Sequence, residues 1–287
     1  MRQRGDNLLI RTHTCFRWHD GLFPAFNFEH MHALKPDGFL VVVDNLDTMY
    51  ARLKREHEVD HNLIDLAFLR EEEIFATQLL SEAVLGPGRC FIVARGRKRE
   101  RLDNIARLIA DPKAKRCYPS IPMTHAMGDP ELWEKICVFR SRLAEKLVCF
   151  DPVDVDEKNI DYLARDAEKA GHSVIRVTVD DQPFEIPLPE AKAAVKYIDG
   201  QIRARDFALI DQAHFIASYI PELQNGLPGL SSGVERELEH ARRTGKRMFI
   251  VWEPKKLPSP FDDSSPTVVV PNTEALFEAL AKHGMIN

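Results

Sequence analysis

Apolar residues recur along this chain in two rhythms. Short continuous runs of strand length stand at Phe39–Val43, Cys90–Ala94, 116–121, 146–150, Phe215–Ile220 and Arg247–Trp252. Runs without polar alternation suit strands buried on both faces, as in a parallel sheet. Between them the apolar residues fall at helical spacing. Over Leu63–Leu85, Leu66, Leu69, Ile74, Leu79 and Leu80 fall near helical spacing with Arg70 to Glu73 on the wet face, and Gly86-Pro87-Gly88 ends the pattern. Further helices are expected at 102–109, 130–145, 189–202, 234–243 and 273–283. Strands alternating with such helices predict an α/β fold with doubly wound, mostly parallel sheets. In that architecture ligands sit beyond the carboxyl ends of the strands.

The punctuation divides the chain. Residues 7–10 form a short apolar run, 18–28 a loop rich in Gly, Pro and aromatics, and Lys35-Pro36-Asp37-Gly38 a turn before a strand. Asp111-Pro112-Lys113 reads as a junction, because the strand–helix alternation restarts after it. Two domains are therefore expected, 1–111 and 112–287, each a mostly parallel sheet flanked by helices. Residues 180–189, with three prolines and scattered acids, predict an inserted loop or a short hairpin.

Composition narrows the function. Of 287 residues 44% are hydrophobic and 29% charged, the balance of a globular chain, and the formal net charge of -5 gives no global attraction to nucleic acid or anionic membrane. No apolar run approaches the roughly 20 residues that span a bilayer, and no signal-type core follows the charged start, so a cytoplasmic location is expected. Five cysteines, odd in number and never spaced CxxC, read as buried free thiols. The basic run Arg95 to Arg101 reads as a solvated turn before a helix, and no nucleic-acid partner is expected.

The chemistry concentrates near the end. Leu230-Ser231-Ser232-Gly233-Val234-Glu235-Arg236-Glu237-Leu238-Glu239-His240-Ala241 is a loop of small hydroxyl residues opening a helix, with Gly245-Lys246 and an apolar strand behind it. Ser231, Ser232 and Gly233 can offer hydroxyls and unpaired N–H groups to an anion at the positive end of the helix. Val234, Leu238 and Ala241 face the sheet, which sets Glu237 at the edge of the cleft.

This pattern resembles the nucleoside 2-deoxyribosyltransferase superfamily, in particular its branch of 2'-deoxynucleoside 5'-monophosphate N-hydrolases. The family pattern Ser-x-Gly-Val-x-x-Glu-Leu-x-x-Ala is matched throughout by Ser231 to Ala241. The resemblance implies that Glu237 is the nucleophile on the anomeric carbon and that the serine at Ser231, where the transferases tend to carry an acid, contacts a 5'-phosphate; Ser232 is the other choice. Arg116-Cys117-Tyr118-Pro119-Ser120-Ile121-Pro122 occupies the place of the family's opening strand and site segment. That implies a Tyr118 that orients the nucleophile, with Ser120 and Pro122 lining the substrate. Arg205-Asp206 matches a pair in which the acid is the proton donor or contacts the base. The resemblance covers roughly residues 113–287 and departs from the pattern in an insertion between Phe150 and Arg205, expected as a lid. It implies a small-molecule nucleotide substrate, no metal or organic cofactor, and a homo-oligomer.

The first half is similar to the later part of an archaeal-type adenylate kinase, through Arg11-Thr12-His13, Gly21 to Pro24, Leu34 to Gly38 and residues 47–54. No GxxxxGK[ST] phosphate loop exists in the chain, so no phosphoryl transfer is expected from it, whether the half is a scaffold or begins upstream of Met1. His57-Glu58-Val59-Asp60-His61 fits the HExxH zinc pattern, with Glu82 as a third ligand, and makes a zinc hydrolase the lesser alternative. A nucleotide sensor with the same pocket and no turnover is the other.

Overall fold

The computed structural model describes residues 8–18, 21–57, 61–96, 100–111, 113–256 and 267–286. The chain begins with an antiparallel hairpin, β1 (Cys15–Trp18) and β2 (Gly21–Pro24), and a short helix, α1 (Phe28–Leu34). Next, β3 (Phe39–Val43) runs through α2 (Leu46–Arg52) and α3 (Leu63–Leu85) to β4 (Cys90–Ala94), its parallel neighbour. An Asn62/Asp65 capping box starts α3, and Gly86 ends it at a φ of 81° that suits glycine. Helix α4 (Glu100–Ala110) leads into the main sheet.

That sheet takes β5 (Arg116–Ser120), then α5 (Met123–Ala126) and α6 (Pro130–Lys146), then β6 (Val148–Cys149). Helix α7 (Lys158–Lys169), the hairpin β7 (Val174–Val179) and β8 (Gln182–Pro187), and the long α8 (Leu188–Gln212) follow. The chain returns to the sheet in β9 (Phe215–Ile220), crosses by α9 (Ser232–Arg243) to β10 (Arg247–Trp252), and finishes with β11 (Thr267–Val270) and α10 (Thr273–Lys282).

The order is β11-β10-β9-β5-β6 with every pair parallel: a doubly wound, Rossmann-like α/β sheet, as the alternation of runs predicts. Counted within the sheet the order is 2-1-3-4-5, so the winding reverses between β5 and β9. A crevice opens at the carboxyl ends of the strands at such a reversal. In register there, Ser120 lies beside Ser218.

Strand alternation sorts the core into two faces. Cys117, Phe215, Ala217, Phe249 and Val251 pack with Phe139 and Leu143 of α6 and Leu276 of α10. Tyr118, Ile216, Ile220 and Ile250 face the other way, towards Leu209 and Ile210 of α8 and Val234, Leu238 and Ala241 of α9. That second cluster also contains Val41, Val43, Ile74, Ile92 and Val93 from the first half. A third joins Leu46, Tyr50, Leu63 and Leu66 to Ile160, Ile175, Val177 and Ile198. Two of the three cores therefore cross the expected junction near residue 112.

Other expectations need correcting. Helix α8 runs on past residue 202 and carries Arg205 and Asp206 in its last turns. Gly200 costs a helix interior about 1 kcal/mol against alanine, but Ala191, Ala194, Ile198, Leu209 and Ile210 are all buried along one side and outweigh it. The insertion after Phe150 is no lid: its buried apolar face, from α7, the hairpin and α8, is turned towards α2 and α3. Within the hairpin, Asp180 and Asp181 take φ of 52° and 60°, the backbone of a tight two-residue turn. Among the described residues no helix is long and apolar enough to cross a membrane.

Candidate active site

Glu237 is turned towards β5 by helix periodicity. It lies three residues after Val234 and four before Ala241, both buried, and so shares their face. Unlike them it is only half-buried. Helix α9 is tied to α8 by the parallel stack of His240 on Phe207, with ring centroids 4.2 Å apart, and by the His240–Asp211 contact at 2.8 Å. The same juxtaposition brings Asp206 towards Glu237.

Both carboxylate oxygens of Glu237 are held from β5. The Tyr118 hydroxyl donates to Oε1 at 2.9 Å and the Ser120 hydroxyl to Oε2 at 2.5 Å. Tyr118 and Ser120 are two residues apart in a strand and so project to the same face; both are fully buried. Burial, reinforced by the charge of Asp206, pushes the Glu237 carboxyl up to about 8, against the two hydrogen bonds and Arg205, which favour the ionised form. Burial likewise raises Asp206, opposed by Arg205. The Tyr118 phenol is raised well above its ordinary range by burial first, then by Asp206 and Glu237. Two acids in one desolvated place resist double ionisation, and the pair retains a proton near neutrality.

The Ser231-Ser232-Gly233 tip sits one to two turns above. Ser231 is the N-cap, its hydroxyl accepting from Val234 N at 3.3 Å, while Ser232 and Gly233 are exposed in the first turn. Gly233 lies one turn, about 6 Å along the axis, from Glu237. The loop delivering this tip is a compact clasp: Gly229 N donates to Pro221 O at 2.8 Å, Leu223 N to Leu227 O at 2.9 Å, and Glu222 bridges to Pro228. A Cβ on Gly229 would stand 2.7 Å from the Pro221 ring, so only glycine fits there.

The expected residues thus divide. Tyr118, Ser120 and Glu237 are in direct contact and Asp206 is within electrostatic reach. Ser231, Ser232 and Gly233 form a separate patch on the same helix. Pro122 is buried at the start of α5, where its carbonyl accepts from His125 N and Ala126 N, and it makes no hydrogen bond to Glu237.

Other polar groups around the site carry no local signal. Ser218 is fully buried beside Ser120, and its hydroxyl has no hydrogen-bond partner among the described residues. Arg205 joins Asp206 to Glu157, and Arg70 reaches Glu157 from the first half of the chain. Only the strand register and the packing of distant segments assemble them. Of the HExxH segment, residues 58–60 and the His57 side chain lie outside the described residues, as do residues 97–99 of the basic run. Among the described residues no three His, Cys, Asp or Glu side chains are grouped to hold a metal ion. No family model matches the chain, and no curated protein is significantly similar to it.

Proposed function

We propose that the chain cleaves, or transfers, the N-glycosidic bond of a nucleoside 5'-monophosphate, with Glu237 as nucleophile. The observation that carries this reading is the pinning of both Glu237 oxygens by Tyr118 and Ser120 at the carboxyl edge of the sheet, where the winding reverses. A surface glutamate needs no such pair of buried donors. Departure of a base leaves oxocarbenium character on the sugar, which a fixed carboxylate captures or stabilises, while the leaving nitrogen takes a proton from a second acid. Glu237 and Asp206 retain one proton between them; the step needs it on Asp206. The carboxylate then bonds to C1', the C1'–N bond breaks, and the Asp206 proton goes to the base. Water or an acceptor base then bonds to C1', giving its proton to Asp206 as the C1'–Glu237 bond breaks and frees the carboxylate. The exposed N–H groups and hydroxyls at the α9 tip, one turn from Glu237, suit the 5'-phosphate of the same substrate.

The test is incubation with a panel of nucleoside and deoxynucleoside 5'-monophosphates, with free base read by chromatography. Base release by the wild-type protein, abolished in Glu237→Gln, supports the reading. Binding without release in both proteins replaces it with a nucleotide sensor.

A further inference from the structure

A buried chain of alternating charge runs from the first half of the molecule to the site. Arg205 Nε and Nη2 donate to Asp206 Oδ1 at 3.1 and 2.9 Å, while its Nη1 donates to Glu157 Oε2 at 3.2 Å and to Val155 O at 2.6 Å. The other Glu157 oxygen accepts from Arg70 Nη1, and Arg70 Nη2 donates to Gln201 Oε1 at 3.2 Å. The Glu157 side chain is wholly buried, and those of Arg70 and Arg205 are 5% and 7% exposed. Such a chain is costly to bury and is only weak support for stability as its purpose. Its end on Asp206 suggests another use.

We propose that Glu157 is a positioning residue that, backed by Arg70, divides the Arg205 guanidinium between two carboxylates and so leaves Asp206 able to take the proton it shares with Glu237. This rests on the two-acid reading above. The groups facing Asp206 are Arg205 on its own helix, Glu157 ahead of α7, Glu237 on α9 and Tyr118 on β5; Arg70 and Glu71 of α3 stand behind Glu157, and Asp156 lies in the field of both Arg205 and Glu157. Without the Glu157 charge, Arg205 turns its whole charge on Asp206. Asp206 then holds its ionised form, and the proton stays on Glu237.

The test uses the full chain with Glu157→Gln, and with the double variant Arg70→Gln/Glu157→Gln, which removes one buried charge of each sign. Carbon-13 carboxyl resonances follow the titration of Glu237, assigned through Glu237→Gln. Expected is a rise of the Glu237 midpoint by about one pH unit, a tenfold change in proton affinity. With it, the rising limb of kcat/KM moves to higher pH, and kcat at pH 7 falls about tenfold at little-changed KM. An unmoved Glu237 midpoint in a folded variant overturns the proposal, and so does loss of folding in both, which makes the chain of charges purely architectural. A moved midpoint in a protein that releases no base upholds the positioning role and removes the glycosidase reading alone.

Discussion

Glu237→Gln should make the protein more stable at alkaline pH while silencing it. A carboxyl that binds its proton more tightly in the fold than in the unfolded chain supports the fold fully below its ordinary value of 4.5. That support drains away as pH climbs to about 8. Each pH unit across this window costs the folded state about 1.4 kcal/mol, so holding the ionised carboxylate at pH 8 costs on the order of 4 kcal/mol. A glutamine has no proton to lose. Its carbonyl can accept from one of Tyr118 and Ser120, while its amide donates to the other once that hydroxyl has turned. At roughly 2–4 °C per kcal/mol for chains of this size, the variant should melt on the order of 10 °C above wild type at pH 8. The two should nearly coincide at pH 4.5. The assay is thermal unfolding of both proteins from pH 4.5 to 9, because only the difference between the curves isolates this group from Asp206 and the other raised acids. Parallel curves across the whole range would refute the physical account of the site: Glu237 would be well hydrated and no more than a helix-surface acid.

Three more outcomes are expected. Tyr118→Phe and Ser120→Ala each remove a donor that favours ionised Glu237, so each should lower kcat/KM by about ten- to a hundredfold and move its rising limb to higher pH, as steady-state pH profiles will register. Ser218→Ala removes a buried hydroxyl that has no partner among the described residues and should stabilise the fold by up to about 1 kcal/mol in denaturant titration; a loss of more than that would mean that the hydroxyl is satisfied in solution. Residues 113–287 expressed alone should lack cooperative unfolding, since Val41, Val43, Ile74, Ile92 and Val93 would be missing from the core beneath α8 and α9; a sharp melt of that fragment would contradict the shared core.

Strand and helix positions were legible wherever one apolar rhythm ran unbroken. Phe39–Val43, Cys90–Ala94, Phe215–Ile220 and Arg247–Trp252 stand where the periodicity puts them, whereas Leu63–Leu85 keeps its expected bounds but buries Arg70, expected on the wet face, and exposes Leu79. The helix expected over 189–202 was read too short, because the buried Arg205, Leu209 and Ile210 extend α8 to Gln212. Several strands carried too faint a signal, both of the β1–β2 hairpin among them. Val174–Val179 alternates beside an Asp-Asp turn that resembles a loop, and Thr267–Val270 is a four-residue edge. The contact of Tyr118 and Ser120 with Glu237 follows from two local periods, every second residue in a strand and every third or fourth in a helix. Glu157 and Arg70 had no such handle, because 87 residues separate them and the one lies among ordinary surface acids in sequence, the other in a helix's charged stripe.

The clasp between β9 and α9 has a kinetic meaning. Its backbone is already cross-tied, through Gly229 to Pro221 and Leu223 to Leu227, so the 5'-phosphate of the proposed substrate would find the α9 tip in its final shape. No ordering entropy is owed at that moment. Capture at Ser231 to Gly233 should therefore proceed in one diffusional phase, linear in ligand concentration, with selectivity left to the lifetime of the complex.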